Sequence, residues 1–242
     1  MKKSKYLFFY SFIVILCVMC NIWNNIIIFA FTDNTETIED KIDIATAKKY
    51  IALTFDDGPH PAYTIKVLDI LAEKNITATF FVVGFRAELH PALLQKMKEL
   101  NCEIGNHTYD HVDLSKSNKS VVISQIEKCS KIIYSITGEY PQIYRPPFGA
   151  IGKVNEQYVP LKKVLWTIDS CDWKTDDAEK IIQNIITAAK DKSIILMHDF
   201  YAQTIKALPE IIDILSEEGY EFATVSRLAE LAELAEFSEF LD

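Results

Sequence analysis

Two adjacent carboxylates, Asp56 and Asp57, follow an apolar run at residues 50–55 and precede the turn Gly58-Pro59. The run has the length and the β-branched and aromatic composition of a strand, and the Gly-Pro pair ends it. The carboxylates therefore lie at the carboxyl end of a predicted strand, which in parallel α/β folds is the end that faces the active site. Because Asp is also common in turns and at helix N-termini, the pair alone fits a structural role equally well.

Two histidines, His107 and His111, are spaced four residues apart. If the segment is helical, this spacing places both imidazoles on one side. Two imidazoles and one carboxylate form a recurrent catalytic zinc site, and either Asp56 or Asp57 can supply the carboxylate. The other aspartate is then free to act as a general base. A short spacing of this kind also arises by chance, so it needs support from the rest of the chain.

That support comes from the positions of other reactive side chains. Seven strands are predicted, at residues 50–55, 78–83, 102–105, 143–144, 163–168, 193–197 and 221–225. Five of them are followed by polar groups: Asp56-Asp57, Asn106-His107, Arg145, Asp169 with Asp172-Trp173, and His198-Asp199. Isolated residues of these types would be interpreted as caps or loop polars. Their shared position at strand ends favours an active site.

Helical periodicity lies between most of these strands. Helices are predicted at residues 64–74, 91–100, 118–136, 176–190 and 204–218, with a last one after Ser226; Asp176 and Glu179 resemble a capping box. Alternating strands and helices predict an α/β fold with a parallel sheet, either open or closed as a barrel. Residues 152–161 contain Pro160 and lack a helical period, which predicts an irregular crossover there.

The composition excludes some classes of partner. The chain has 242 residues and a formal net charge of -9, which does not suit nucleic-acid binding. No protein partner is predicted. Beyond the N-terminal segment, three cysteines remain, Cys102, Cys129 and Cys171, so one disulfide is compatible with the sequence and none is required.

The N-terminal segment indicates export. Lys2, Lys3 and Lys5 precede an apolar run, as in a signal peptide. Asparagines interrupt the run before it resumes, so residues 1–31 fit either a cleaved signal peptide or a membrane anchor. Residues 32–48 are interpreted as a linker and residues 49–242 as one catalytic domain. We expect an extracytoplasmic protein, secreted or anchored to the outer face of the membrane.

The ordered segments resemble those of the polysaccharide deacetylase family, the NodB-homology enzymes of carbohydrate esterase family four. The resemblance rests on Thr54 to Pro59, His107 to His111, Arg145 to Ala150, Asp169 to Trp173, and Leu196 to His198. It covers residues 49–228 and implies a distorted (β/α)7 barrel. It also implies metal-dependent hydrolysis of N-acetyl, or less often O-acetyl, groups on a polysaccharide.

The resemblance also implies individual roles. Asp57, His107 and His111 would bind a divalent metal, most often Zn2+, with Co2+ as an alternative. Asp56 would be the general base, held by Arg145, and His198 the general acid. Asp172, or Asp169 as the alternative, would pair with His198. The backbone N–H of Phe148 would stabilise the oxyanion, and Trp173 and Leu196 would line the acetyl pocket. Phe148 stands where the family commonly has Tyr.

The substrate follows less directly. An exported enzyme meets the cell wall, so the main expectation is an N-deacetylase acting on the amino sugars of peptidoglycan. Alternatives are a chitooligosaccharide deacetylase and an O-acetyl esterase on a polysaccharide such as xylan. A noncatalytic glycan-binding module would require a degenerate metal set, and every expected position is filled.

Overall fold

The strand that ends in the two aspartates, β1 (Lys49–Asp56), lies at the centre of a parallel sheet. From Tyr50 onward every residue of β1 is buried, as expected for a strand with both faces covered. The computed structural model describes residues 47–241, with side chains described to residue 236. The predicted leader and nearly all of the linker lie outside these residues. No helix within residues 47–241 is long and apolar enough to cross a membrane.

The remaining strands are β2 (Thr79–Val82), β3 (Glu103–Asn106), β4 (Ile143–Tyr144), β5 (Lys162–Lys163), β6 (Ile168–Asp169), β7 (Ser193–His198) and β8 (Tyr220–Phe222). The helices are α1 (Thr64–Lys74), α2 (Gly84–Leu89), α3 (Pro91–Glu99), α4 (Lys119–Thr137), α5 (Lys153–Glu156), α6 (Ala178–Ile186), α7 (Ala202–Glu217) and α8 (Val225–Leu241), with a 3-10 turn at Pro147–Gly149. The predicted alternation of strands and helices is thus confirmed.

All pairings in the sheet are parallel, in the order β5-β4-β3-β2-β1-β7-β6. β8 pairs with the beginning of β1, where Ala223 N donates to Ile51 O. The two outermost strands, β5 and β6, are neighbours in sequence. Residues 164–167 therefore run from one edge of the sheet to the other and curl it.

The prediction of one strand at residues 163–168 was wrong. The segment forms β5 and β6, with a crossing segment between them whose carbonyls bond to a side chain instead of a neighbouring strand. Arg145 donates from Nε to Val164 O at 3.3 Å and from Nη2 to Leu165 O at 3.0 Å. A buried guanidinium thus satisfies carbonyls that would otherwise be orphaned in the interior.

Packing of the helices against the sheet holds the strands in place. α1 buries Val67, Leu68 and Leu71, which recur at the spacing of one helix face, and the same pattern recurs in α6 and α7. A smaller cluster of Leu114, Val122, Ile126 and Tyr144 packs beneath the segment that follows β3. This cluster supports the loop that carries the two histidines.

Several local predictions need correction. α6 begins after Asp177, whose side chain accepts from Glu179 N at 3.1 Å, so Asp176 is not the cap, and the helix ends at Ile186 instead of residue 190. The irregular crossover at residues 152–161 is confirmed, because it contains only the single-turn helix α5. Cys102, Cys129 and Cys171 are free thiols.

Candidate active site

A cleft of about 390 Å³ opens at the carboxyl ends of the strands. In the parallel register Asp56 lies opposite His198 on β7, so these two chemically reactive residues emerge at the same level. The residues lining the cleft are Asp56, Asp57, His107, His111, Phe148, Gly149, Trp166, Asp169, Trp173, Leu196, His198 and Tyr201. The structure thus brings together most of the residues that the sequence placed at strand ends.

Asp56 and Arg145 form a buried ion pair at the floor of this cleft. Arg145 Nη1 donates to Asp56 Oδ1 at 2.7 Å and to Thr54 Oγ1 at 2.8 Å, and Arg145 is fully buried. Thr54 in turn donates to Ile195 O at 2.6 Å. This hydrogen-bond chain fixes Oδ1 and leaves Oδ2 of Asp56 directed toward His107, 3.9 Å from its Nε2.

Asp57, His107 and His111 converge as a set of metal donors. Asp57 Oδ1 lies 3.3 Å from His107 Nε2 and 2.9 Å from His111 Nε2, and the three donor atoms all lie within 4.8 Å of one another. Tetrahedral zinc with bonds of ~2.0–2.1 Å places its ligand atoms about 3.3 Å apart, so this set fits a small divalent cation.

The protonation of the donor set agrees with metal binding. His107 Nδ1 lies 2.7 Å from the carbonyl oxygen of Arg145 and donates to it, which leaves the lone pair of Nε2 free for a cation. Burial acts to raise the pKa of Asp57, but its close contacts with the imidazoles of His107 and His111 outweigh burial and hold that pKa well below its usual range. The carboxylate is therefore ionised, as a ligand must be.

The two histidines lie on a loop, so it is not helical spacing that places their imidazoles on one side. The segment after β3 is a loop in which Thr108 and His111 have positive φ angles of 64° and 56°. Asn106 Oδ1 accepts from Thr108 N, and Gln125 Oε1 on α4 accepts from the backbone N–H groups of Tyr109 and Asp110. Side-chain hydrogen bonds to the backbone therefore set the loop conformation and bring both imidazoles to the same point.

His198 lies across the cleft and pairs with Asp172. His198 Nδ1 is 2.7 Å from Asp172 Oδ1, and the backbone N–H of His198 donates to Asp172 Oδ2, also at 2.7 Å. Burial acts to lower the pKa of His198, but the hydrogen bond and charge of Asp172, with the charges of Asp56 and Asp57, raise it to about 9. The imidazolium is thus the form that this environment favours.

The structure places Asp172, rather than Asp169, beside His198. Asp172 is fully buried, and its Oδ2 also accepts from Thr204 Oγ1 at 2.6 Å in the first turn of α7. Asp169 instead accepts from Cys171 N at 2.8 Å and faces Trp173 Nε1 at 3.4 Å. The alternative that the sequence left open is thereby decided on geometry.

Phe148, Trp173 and Leu196 all line the cleft, where the sequence placed them. Phe148 and Trp173 are exposed, whereas Leu196 is buried at the floor beside His198. Phe148 has a φ of 60°, and its ring meets that of His111 edge-on with centroids 5.0 Å apart. Positive φ at a bulky residue is unusual and occurs at functional sites, where surrounding contacts impose it.

Two cleft residues were missed from the sequence, Trp166 and Tyr201. Trp166 lies in the crossing segment and packs on Gly149, where an added Cβ would come within 2.9 Å of the indole. Tyr201 is the N-cap residue of α7, and its ring meets His198 edge-on with centroids 5.7 Å apart. Trp166 lies within the strand predicted at residues 163–168, and its position inside that apolar run gave no sign that it lines the cleft.

Asp199 follows His198 at the end of β7. Its buried carboxyl accepts from Thr64 Oγ1 and lies against Gly58, where any Cβ would overlap it. Its other oxygen has no hydrogen-bond partner within residues 47–236. Burial raises the pKa of Asp199 to about 7. Asp199 thus supports the turn that follows Asp57 from the end of β7.

Comparison with protein families decides the classification. The family model described as polysaccharide deacetylase matches residues 43–163, half of the chain. The chain belongs to the polysaccharide deacetylase family. The curled parallel sheet with outer helices confirms the distorted (β/α)7 barrel predicted for this family.

Individual relatives agree with this classification. The chain is 38% identical over 184 residues to the peptidoglycan-N-acetylglucosamine deacetylase PgdA of Listeria monocytogenes. The aligned region covers 76% of this chain and 40% of the relative. The chain therefore spans less than half the length of that polysaccharide deacetylase. The structure of peptidoglycan deacetylase PdaC from Bacillus subtilis has a TM-score of 0.78 and 37% identity, covering 80% of this chain and 96% of the other.

A third relative in the family differs in its substrate. It is a family 4 acetyl xylan esterase from Clostridium thermocellum, solved in complex with a cobalt ion, with a TM-score of 0.73 and 34% identity over 76% of this chain and 91% of the other. The family therefore includes both amide-cleaving and ester-cleaving deacetylases and is divalent-metal dependent.

Proposed function

We propose that this polysaccharide deacetylase removes N-acetyl groups from the amino sugars of cell-wall peptidoglycan. The observation that carries the proposal is the arrangement around one cleft of three chemically distinct units. These are the buried Asp56–Arg145 pair, the donor set of Asp57, His107 and His111, and the His198–Asp172 pair. Amide hydrolysis needs a base, an electrophile and an acid, and each unit supplies one of them.

Asp56 is the general base. Its Oδ1 is held by Arg145 Nη1, so its Oδ2 is the oxygen that is free to take a proton from an attacking water. A carboxylate whose orientation is fixed in advance loses little freedom during the reaction. Arg145 is buried and cannot deprotonate, so its charge stabilises Asp56 throughout.

The donor set is proposed to hold Zn2+, with Co2+ or another divalent cation as an alternative. When bound there, such an ion supplies Lewis-acid chemistry, polarising the acetyl carbonyl and increasing the acidity of water. His107 is oriented for this role by its Nδ1–H bond to the carbonyl of Arg145, and the negative charge of Asp57 is stabilised by both imidazoles.

His198 is the general acid that protonates the departing amine. An amine is a poor leaving group until it is protonated, so an amide demands this step more than an ester does. Asp172 holds the Nδ1–H side of the imidazolium, which directs Nε2 to the substrate. We expect the acetyl methyl to contact Leu196 and Trp173, which line the cleft, and the backbone N–H of Phe148 to stabilise the oxyanion.

Peptidoglycan is proposed as the substrate because two of the relatives described above are peptidoglycan deacetylases, and because the N-terminal sequence indicates export. The enzyme would act outside the cytoplasm, either secreted or tethered by residues 1–31. No nucleic-acid partner is expected at this net charge.

The test is acetate release. Purified protein loaded with zinc or cobalt is incubated with peptidoglycan, chitooligosaccharide and acetylated xylan, and acetate is measured enzymatically. We expect release from peptidoglycan. If folded, metal-loaded protein releases no acetate from any of the three glycans, the proposal is wrong.

An O-acetyl esterase is the second candidate, and the similarity to the acetyl xylan esterase supports it. The two reactions differ in their need for a general acid. His198→Ala in an N-deacetylase should abolish amide cleavage and spare much of the cleavage of an acetyl ester. Equal losses on both substrates would argue against this assignment of His198.

A further inference from the structure

A cationic and aromatic cluster lies beside the cleft and has no part in the mechanism above. It is formed at the carboxyl ends of β1, β2 and β7 by Arg86, Phe200, His60 and Tyr63, here called the rim cluster. Phe200 meets His60 edge-on with centroids 4.8 Å apart, and His60 stacks on Tyr63 at 4.7 Å. Phe200 also meets Tyr201 edge-on at 6.1 Å, and Tyr201 lines the cleft. The rim cluster is therefore continuous with the active site.

Arg86 is held in one orientation within this cluster. Its guanidinium lies over the ring of Phe200, 4.2 Å from the centroid, and its Nη1 donates to the backbone carbonyl of Asp57 at 2.7 Å. Stacking and one hydrogen bond fix the plane of the guanidinium before a ligand arrives. A ligand that binds there loses less free energy to ordering of the side chain.

Arg86 also lacks an anionic partner. The chain contains three arginines, of which Arg145 pairs with Asp56 and Arg227 with Glu230. No carboxylate within residues 47–236 forms an ion pair with Arg86. A guanidinium has five N–H groups, and the bond to the carbonyl of Asp57 is the one hydrogen bond that the Arg86 guanidinium donates to these residues. In a chain with 34 acidic and 25 basic residues, an arginine without a carboxylate partner beside the cleft is available to an anion from outside.

We propose that Arg86 binds a carboxylate of the glycan next to the reacting sugar, so that the cleft selects an acidic glycan over a neutral one. The inference rests on the proposed function and specifies its substrate class. A guanidinium binds a carboxylate through two parallel N–H···O bonds, and its fixed plane sets the direction of approach. In peptidoglycan, N-acetylmuramic acid carries a lactyl carboxylate where the peptide has been removed, and the peptide stem supplies carboxylates where it is attached. Chitooligosaccharides carry none.

A purely structural role for Arg86 makes a different prediction. If Arg86 only holds the carbonyl of Asp57, its removal disturbs the metal-binding turn and reduces activity on every substrate alike. If it also binds the substrate, the loss depends on the charge of the substrate. The informative quantity is therefore the ratio of kcat/KM values for an acidic and a neutral glycan.

The experiment compares wild type with Arg86→Gln, using Arg227→Gln as a control that removes the same charge at a site outside the cleft. The substrates are chitotetraose, the peptide-free tetrasaccharide of alternating N-acetylglucosamine and N-acetylmuramic acid, that tetrasaccharide with its lactyl carboxyls converted to amides, and its peptide-bearing form. We expect Arg86→Gln to lower kcat/KM about tenfold more for the peptide-free acidic tetrasaccharide than for the two uncharged glycans, whose shared loss measures the contact with the carbonyl of Asp57. Arg227→Gln should change none of the four.

The arms of the experiment separate the two sources of carboxylate. A selective loss on the peptide-free acidic tetrasaccharide identifies the lactyl group, and a selective loss on the peptide-bearing form alone identifies the stem. An equal loss on all four substrates overturns the proposal but leaves the proposed function intact.

A binding measurement decides the case in which no acetate is released. In the Asp56→Asn background, calorimetric affinity for the peptide-free acidic tetrasaccharide should fall about tenfold when Arg86→Gln is added, and affinity for chitotetraose should not. Unchanged affinity for both the peptide-free and the peptide-bearing acidic tetrasaccharides overturns the proposal independently of turnover.

Discussion

Arg145 Nη1 donates to Asp56 Oδ1 at 2.7 Å, and neither side chain is more than 5% exposed. The same guanidinium also bonds to the carbonyls of Val164 and Leu165 in the segment that joins the two edges of the sheet. One residue therefore orients the proposed base and closes the barrel, so its removal should affect both activity and stability.

Arg145→Met should destabilise the protein by about 3–5 kcal/mol, because it leaves Asp56 buried without its cation and two carbonyls without a donor. Urea denaturation measures the change. The exposed pair of Arg227 and Glu230 provides the control, since Arg227→Met should alter stability by no more than about 0.5 kcal/mol. Adding Asp56→Asn to Arg145→Met should recover part of the loss. If both arginine variants have the same small effect, the stabilising role of Arg145 is refuted.

Substitutions of the two adjacent aspartates should have different effects on the amount of bound metal. Asp57→Ala removes the carboxylate oxygen that lies beside the Nε2 atoms of both histidines. The variant should therefore retain only background metal after dialysis, as measured by atomic emission. Asp56→Asn should retain the metal and lose acetate release. Asp69→Asn, on the surface of α1, is the control for a lost charge and should behave as wild type. The reverse result would exchange the roles of Asp56 and Asp57.

The pH dependence should report His198. Its pKa is raised from 6.5 to about 9, so the folded state favours the protonated form. The resulting stabilisation is fully present below about pH 6.5 and is lost as the pH rises toward 9. Activity that needs the imidazolium should fall along the same alkaline limb. A bound cation would oppose the attraction that the charges of Asp56 and Asp57 exert on the His198 proton. The alkaline loss of activity in the metal-loaded enzyme should therefore occur at a lower pH than the pKa of His198 in the metal-free protein.

Asp172→Asn should move this alkaline limb to lower pH and reduce amide cleavage more than ester cleavage, since it removes the main attraction that raises the pKa of His198. The measurement is kcat/KM against pH on both substrate types. Asp169→Asn is the natural comparison and should leave the position of the limb unchanged. If Asp169→Asn shifts the alkaline loss of activity and Asp172→Asn does not, Asp169 is the carboxylate that raises the pKa of His198.

The stability of the protein should also depend on pH through Asp199, whose pKa is raised mainly by burial. Burial raises its pKa from 3.8 to about 7, so the folded metal-free protein binds a proton that the unfolded chain has lost. This effect lowers stability as the pH rises from about 4 to 7. Asp199→Asn should therefore raise the free energy of unfolding at pH 8 and have little effect at pH 4. Equal effects of the substitution at both values would show that ionisation of Asp199 has no part in it.

The turn at Gly58 can be tested with one methyl group. A Cβ at Gly58 would overlap the carboxyl of Asp199, whereas a Cβ at Gly152 would meet no atom within 4 Å. Gly58→Ala should cost about 1–3 kcal/mol and weaken metal binding through Asp57, and Gly152→Ala should have almost no effect. Thermal unfolding and metal titration of the two variants give the comparison. Similar behaviour of both would contradict the close contact.

The sequence predicted much of the site because strand ends can be read from local pattern. Asp56, His107, Arg145 and His198 each follow an apolar run, and parallel strands bring such positions to one edge. The family resemblance then supplied the division of roles. The resemblance favoured Asp172 as the partner of His198 and kept Asp169 as the alternative; the choice between them depends on the loop after β6 and on α7, and the fold decides it.

The missed features share a physical cause. Residues 163–168 look like one strand because their composition is apolar, but the register that splits them is set by Arg145, far away in sequence. Arg86 likewise looks like an ordinary surface cation on α2. Its orientation arises from Phe200 and from the carbonyl of Asp57, which are 114 and 29 residues away. Long-range contacts of this kind leave no local periodicity to detect.

The crossing segment at residues 164–167 has a consequence for how this family can diverge. Because Arg145 ties that segment to the floor of the cleft, a lineage could lose hydrolysis by changing a proposed metal ligand such as His111, which lies in a loop, and still keep its barrel. Loss of Arg145 would disrupt both the closure of the sheet and the orientation of Asp56. Loss of activity in descendants of this enzyme should therefore begin in the histidine loop, and Arg145 should be among the last of the site residues to change.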